Sequence, residues 1–226
     1  MALMPRLRQL IRRQPTSTIG ARRPTTSGRR GDTVHEDALR AMLADDPNDA
    51  RAFQALAEIV RRRAADAHVP DDPLAAPVDE QEVQRAADLA VWSLAEELAG
   101  NPRGWYPLVE LGRLSVDEDL DGALRRFATA TDRDPTGQAL AESVVGLRES
   151  GHAVDALGLG IGHWRTREHV PEVGRQLVLA ALDADRVADA RNHLDALAAH
   201  PDSDAVKAMT PELERAITQR EQSFGR

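Results

Sequence analysis

Cysteine is absent from the 226 residues, so disulfides and cysteine-ligated zinc are excluded. Aromatic residues make up only 3% of the chain against 42% apolar residues overall, so a core has to be built mainly from Ala, Leu and Val. That composition suits closely packed helices better than a β-sandwich, which draws on β-branched and aromatic side chains. No apolar run approaches the roughly 20 residues that span a bilayer. The first residues also lack the apolar centre of a secretory signal, and the expectation is a soluble protein of the cytoplasm. Lysine is nearly missing: Lys207 is the only one, and basic charge is carried by arginine.

What is present is unevenly spread. Residues 1 to 31 hold eight arginines (Arg6, Arg8, Arg12, Arg13, Arg22, Arg23, Arg29 and Arg30) and no acid. Of the 29 Lys and Arg residues 21 remain for the rest of the chain, against 37 acids, a formal −16. A basic arm therefore precedes an acidic body. Its mixture of Arg, Pro, Ser, Thr and Gly predicts disorder over 1–31, apart from a short amphipathic stretch carrying Leu3, Leu7, Leu10 and Ile11. Charge alone leaves four roles open for this arm: a tail folded back on the body, contact with nucleic acid or a ribosome, attachment to an anionic surface or partner, and an organelle presequence.

From Asp32 onward the apolar spacing is helical throughout, and no segment alternates as a strand does. Thr33 with Glu36 is a capping-box signature and predicts a first helix to about Asp45. A second helix follows in DDPNDARAFQALAEIVRRR. A Pro/Asp-rich insertion at about 67–82 predicts a surface loop. From Asp79 a helix with Val83, Ala87, Ala90, Leu94 and Leu98 on one face stops at Gly100. Helix pairs then recur at 108–135, 139–164 and 171–201. Two short helices close the chain, one around Ala205 and one opening at Thr210-Pro211.

The segment LVELGRLSVDEDLDGALRRFATATDRDP, Leu108 to Pro135, is the most informative of these. Ala123, Phe127 and Ala130 share one helical face, Leu111-Gly112 closes the helix before it, and Pro135 ends the unit. This order resembles a tetratricopeptide repeat, and it returns in weaker form at Pro47-Phe53-Leu56-Ala57 and at Pro171–Pro201. The resemblance implies an all-α fold, an α-solenoid of antiparallel helix pairs with about four degenerate repeats over 32–226. It also implies a function: a non-enzymatic adaptor or scaffold that holds another protein or protein complex in a groove, with no cofactor. In that family the first helix of each pair lines the concave surface. By register the groove residues are Arg51, Gln54, Glu58, Arg61 and Arg62, then Tyr106, Val109 and Arg113, then Arg175 and Leu179. Members that clamp a chaperone's C-terminal carboxylate use a Lys and Asn pair where this chain has Gln54 and Glu58, which argues against that ligand. The arginines point to an acidic or phosphate-bearing partner. The alternative function is a nucleic-acid or ribosome-associated factor tethered by the arm.

Other motifs carry less. Asp117, Asp119, Asp121 and Gly122 match the opening of a calcium loop, but the closing position holds Ala128 where a bidentate Glu is needed, so an acidic turn ahead of a helix is the better reading. Gly158, Gly160 and Gly162 follow a helical and not a strand pattern, which excludes a dinucleotide loop and leaves close packing or a loosened helix as their role. The histidines lack the one-turn spacing of a helical metal pair, and no serine, histidine and acid set forms a nucleophile motif. Trp92 and Trp164 are expected in the core; Trp105 suits the core and the groove equally.

Overall fold

The computed structural model describes residues 26–68 and 79–224. The chain divides into two units, Met1–His35 and Glu36–Arg226. Of the first unit only Thr26–His35 is described, as the leading part of a helix. Arg6, Arg8, Arg12, Arg13, Arg22 and Arg23, and the amphipathic stretch before them, lie outside the described residues.

All regular structure among the described residues is helical: α1 (Thr26–Asp45), α2 (Ala50–His68), α3 (Glu80–Ala99), α4 (Tyr106–Ser115), α5 (Leu120–Arg133), α6 (Gln138–Glu149), α7 (Ala153–His163), α8 (Pro171–Asp183), α9 (Val187–Ala198) and α10 (Ser203–Phe224). The all-α expectation is met. From Glu36 onward each helix packs on its neighbours, and next-but-one contacts join α4 to α6, α6 to α8 and α8 to α10 in one row. A second row joins α5 to α7. The arrangement is compatible with a helical repeat.

Small residues set the spacing between the rows. Phe127 is fully buried, and a Cβ on Gly112 would come within 2.7 Å of its Cδ1 and Cζ. Gly174 faces Leu197 and Trp164 in the same manner, and Gly160 faces Leu177. Leu111, Ala123 and Ala130 are buried around this contact, and with few aromatics available the helices approach until alanine and leucine fill the space. Gly158 and Gly162, by contrast, have nothing within 4 Å of a Cβ, so close packing explains Gly160 alone.

Turns in the first row repeat too. The α6 helix ends with Gly151 at φ 80° and a bond from His152 N–H to the Leu147 carbonyl (2.8 Å). The α8 helix ends with Asp185 at φ 60° and a bond from Arg186 N–H to the Ala181 carbonyl (2.8 Å). Both are left-handed helix stops that satisfy a terminal carbonyl, one with glycine and one with an Asp held by Arg220.

Three local expectations are corrected. The first helix begins at Thr26 and runs through Thr33, because Glu36 does not cap it: the Glu36 carboxylate accepts from Arg63 (2.6 Å) and Arg40 (3.3 Å). The insertion is shorter than 67–82, since α2 continues to His68 and Asp79 opens α3 by accepting from Gln81 N–H (2.9 Å); residues 69–78 lie outside the described residues. The closing pair of helices is one helix with Pro211 inside it. Burial of Val206, Leu213 and Ile217 along one side carries the helix past the missing N–H, and Arg215 Nε donates to the Pro211 carbonyl (2.9 Å).

Candidate functional site

The residues assigned by register to one groove fall into three environments. On α2, Arg51, Gln54, Glu58 and Arg62 are exposed and Arg61 is half-buried, with Arg61 Nη1 3.4 Å from Glu58. The Gln54 amide donates to Tyr106 Oη (3.0 Å) and so ties α2 to α4.

Tyr106 and Val109 depart from the register's expectation of surface side chains. Tyr106 is 5% exposed and packs edge-on against Phe53 (5.4 Å) and Trp105 (5.7 Å), while Val109 is 0% exposed. The cause is that α4 packs against α3, α5 and α6, and Tyr106 at its start also against Phe53 of α2. Burial raises the Tyr106 phenol above its ordinary value and keeps it neutral. Trp105, half-buried beside Tyr106, belongs to this aromatic contact.

The arginines stand in carboxylate pairs. Arg113 on α4 binds Glu110 (2.6 Å) and reaches Glu142 on α6 (2.5 Å). Arg148 on α6 reaches Gln176 (2.5 Å) and Asp183 (2.8 Å) on α8. Arg175 on α8 binds Glu172 (3.0 Å) and reaches Glu212 on α10 (3.2 Å). Each step of the row is thus bridged by one guanidinium. Burial disfavours the charge on Arg113, but Glu110 and Glu142 outweigh it and hold the guanidinium protonated. Leu179 is half-buried against the core.

The charge balance along the row follows. Glu110, Arg113 and Glu142 together carry one negative charge in excess, as do Glu172, Arg175 and Glu212. The expectation of an arginine-lined face for an acidic ligand is therefore corrected: between α4 and α10 the arginines already have carboxylate partners from the chain itself.

Two organising residues were missed by sequence reasoning. Asn48 accepts from the N–H groups of Trp105 (2.7 Å) and Tyr106 (3.1 Å) and donates to the Arg103 carbonyl (2.9 Å). Arg133 Nη1 lies 3.0, 3.0 and 2.9 Å from the carbonyls of Ala99, Asn101 and Gly104. Together they hold the α3–α4 loop that starts the most repeat-like segment. The signal available was small: polar residues flanking Pro47 and Pro135, with no hint of their distant partners.

The acidic turn at 117–121 is also resolved. Asp119 is the N-cap of α5 and accepts from Gly122 N–H (2.9 Å). Arg126 lies over Trp92, 4.9 Å from the ring centre, and donates to Ser115 Oγ (3.2 Å). Trp92 and Trp164 are both half-buried against the core.

No helix among the described residues is long and apolar enough to cross a membrane. In comparisons with known proteins, no family model, no curated protein and no solved structure matches the chain.

Proposed function

We propose that this protein is a non-enzymatic scaffold with a tetratricopeptide-like solenoid, which holds a segment of a partner protein along the row of α4, α6, α8 and α10. The observation that carries the reading is the stacking of these four helices, each bridged to the next by an arginine whose carboxylate partners remain part-exposed. A row of this kind offers a long surface of repeating character, which suits an extended peptide better than a small molecule. The surplus carboxylates at Glu110/Glu142 and Glu172/Glu212 favour a basic segment. Gln54, Glu58, Arg51, Arg61 and Arg62 on α2 extend the surface with a different charge balance.

The second reading, a nucleic-acid factor tethered by the arm, rests on the eight arginines of residues 1–31. Pull-downs with the full chain, with 1–31 removed, and with Glu142→Arg separate the two. Protein partners that survive loss of the arm and disappear with Glu142→Arg support the scaffold. RNA or DNA that is recovered, released steeply by salt, and lost with the arm supports the tether and overturns the scaffold.

A further inference from the structure

The second row carries a face unlike its surroundings. Val154 and Ile161 on α7 are 64% and 57% exposed, and Gly158 and Gly162 meet nothing within 4 Å of a Cβ. Spaced four, three and one residues apart, these four form one stripe along the helix. The corresponding exposed residues of α5 are Asp121, Arg125, Thr129 and Asp132, and those of α9 are Arg191, Asn192 and Asp195 with Ala188 and Ala198 at the two ends. The face of α7 thus carries large apolar side chains beside a glycine gap, where α5 is polar and α9 is polar at its centre. Folding does not require it, because α7 packs inward through Ala153, Ala156, Leu157 and Gly160.

We propose that this stripe is a self-association surface, on which two copies of the chain pack α7 against α7 in antiparallel fashion about a two-fold axis at Gly158. Three features of the face select a second copy. Its steric pattern is self-complementary: with the axis at Gly158, Val154 of one copy stands opposite Gly162 of the other, a side chain meeting a gap, as an isologous contact requires. The two glycines let the helix axes approach closely.

Charge is the second feature, because it runs lengthwise. Asp155 lies in the first turn of α7, while His163 at its end is followed by Arg165, Arg167 and one acid, Glu168. Antiparallel copies set acid beside base, whereas parallel copies set like beside like. The local pairs, Asp155 with His152 (3.7 Å) and Arg165 with Glu168 (3.2 Å), leave these charged side chains 39% and 68% exposed and able to reach across.

Size is the third. A helix of 11 residues is about 16 Å long, so the contact sits at the small end of specific interfaces and the dimer is concentration-dependent. The surface lies on the second row, and its failure would leave the partner-binding reading of the first row untouched.

The full chain contains no cysteine, which allows a clean test. Sedimentation velocity over rising concentration should show a monomer–dimer equilibrium that Ile161→Glu weakens by about tenfold or more, with helical circular dichroism unchanged. Mild oxidation should join Gly158→Cys into a disulfide dimer and leave Leu89→Cys, an exposed site on α3, monomeric. A chain that stays monomeric at its highest soluble concentration overturns the proposal. So does a dimer indifferent to Ile161→Glu, or one in which Val154→Cys cross-links to itself more readily than Gly158→Cys, the sign of a parallel pair.

Discussion

Phe127 of α5 occupies the space a side chain at Gly112 of α4 would need, with two ring carbons 2.7 Å from the position of a Cβ there. The two residues form one unit of packing, and neither can change in size alone. Gly112→Ala should destabilise the fold by about 1–3 kcal/mol through overpacking, and Phe127→Ala by about 3–5 kcal/mol through the cavity it leaves. Combining Gly112→Ala with Phe127→Leu should cost less than Gly112→Ala and Phe127→Leu measured singly and added together. Urea unfolding of the four variants checks this, and strict additivity would remove the steric account.

The α3–α4 loop depends on Asn48 in a second prediction. Asn48→Ala leaves the N–H groups of Trp105 and Tyr106 without their acceptor and should cost about 1–3 kcal/mol. Asn48→Asp keeps that acceptor and loses only the bond donated to Arg103 O, so it should be the milder change. The midpoint of denaturation should fall while its slope with denaturant stays constant. Equal losses for both variants would show that the acceptor is not the important half of the amide.

The third prediction concerns pH. His169 is 5% exposed beneath Gly137, and its carbonyl accepts from His200 Nε2 (2.8 Å), whose Nδ1 accepts from Asp202 N–H (2.9 Å). Burial lowers the imidazole pKa of His169; Arg165 and His163 lower it further, and Asp134 and Glu168 oppose them. The folded state therefore prefers neutral His169 more than the unfolded state does. Its contribution is fully present above the unfolded value of about 6.5 and is lost as pH falls toward the lowered folded value. Stability measured from about pH 8 down to about pH 5 should decline, and His169→Gln should flatten the decline without abolishing it, because burial lowers His193 as well. An unchanged slope in His169→Gln would clear this residue of the effect.

Much of the fold was legible in the chain because it depends on near neighbours. The spacing of Leu111, Ala123, Phe127 and Ala130 marks helix faces, and Asp79 and Asp119 cap helices through N–H groups two or three residues away. The turn at Gly151 likewise follows from glycine's access to positive φ. These interactions are local, so sequence order and spacing are enough to reveal them.

What local order does not contain is which side of a helix a distant partner will cover. Val109 lies on the turn adjoining Arg113, yet three neighbouring helices bury the one and leave the other part-exposed. Arg113 and Arg175 read in sequence as cations open to a partner; only the stacking of alternate helices, some 30 residues apart, brings Glu142 and Glu212 to them, as it brings Asp183 to Arg148, and changes the charge a partner would meet. Pro211 by itself marks the first turn of a new helix and becomes an interior residue because Val206, Leu213 and Ile217 gain more from burial on one side than the helix loses at one N–H. Composition and periodicity thus determined that this chain is helical and where most of its helices turn, while tertiary packing decided which charges are neutralised and which apolar face, that of α7, is left uncovered.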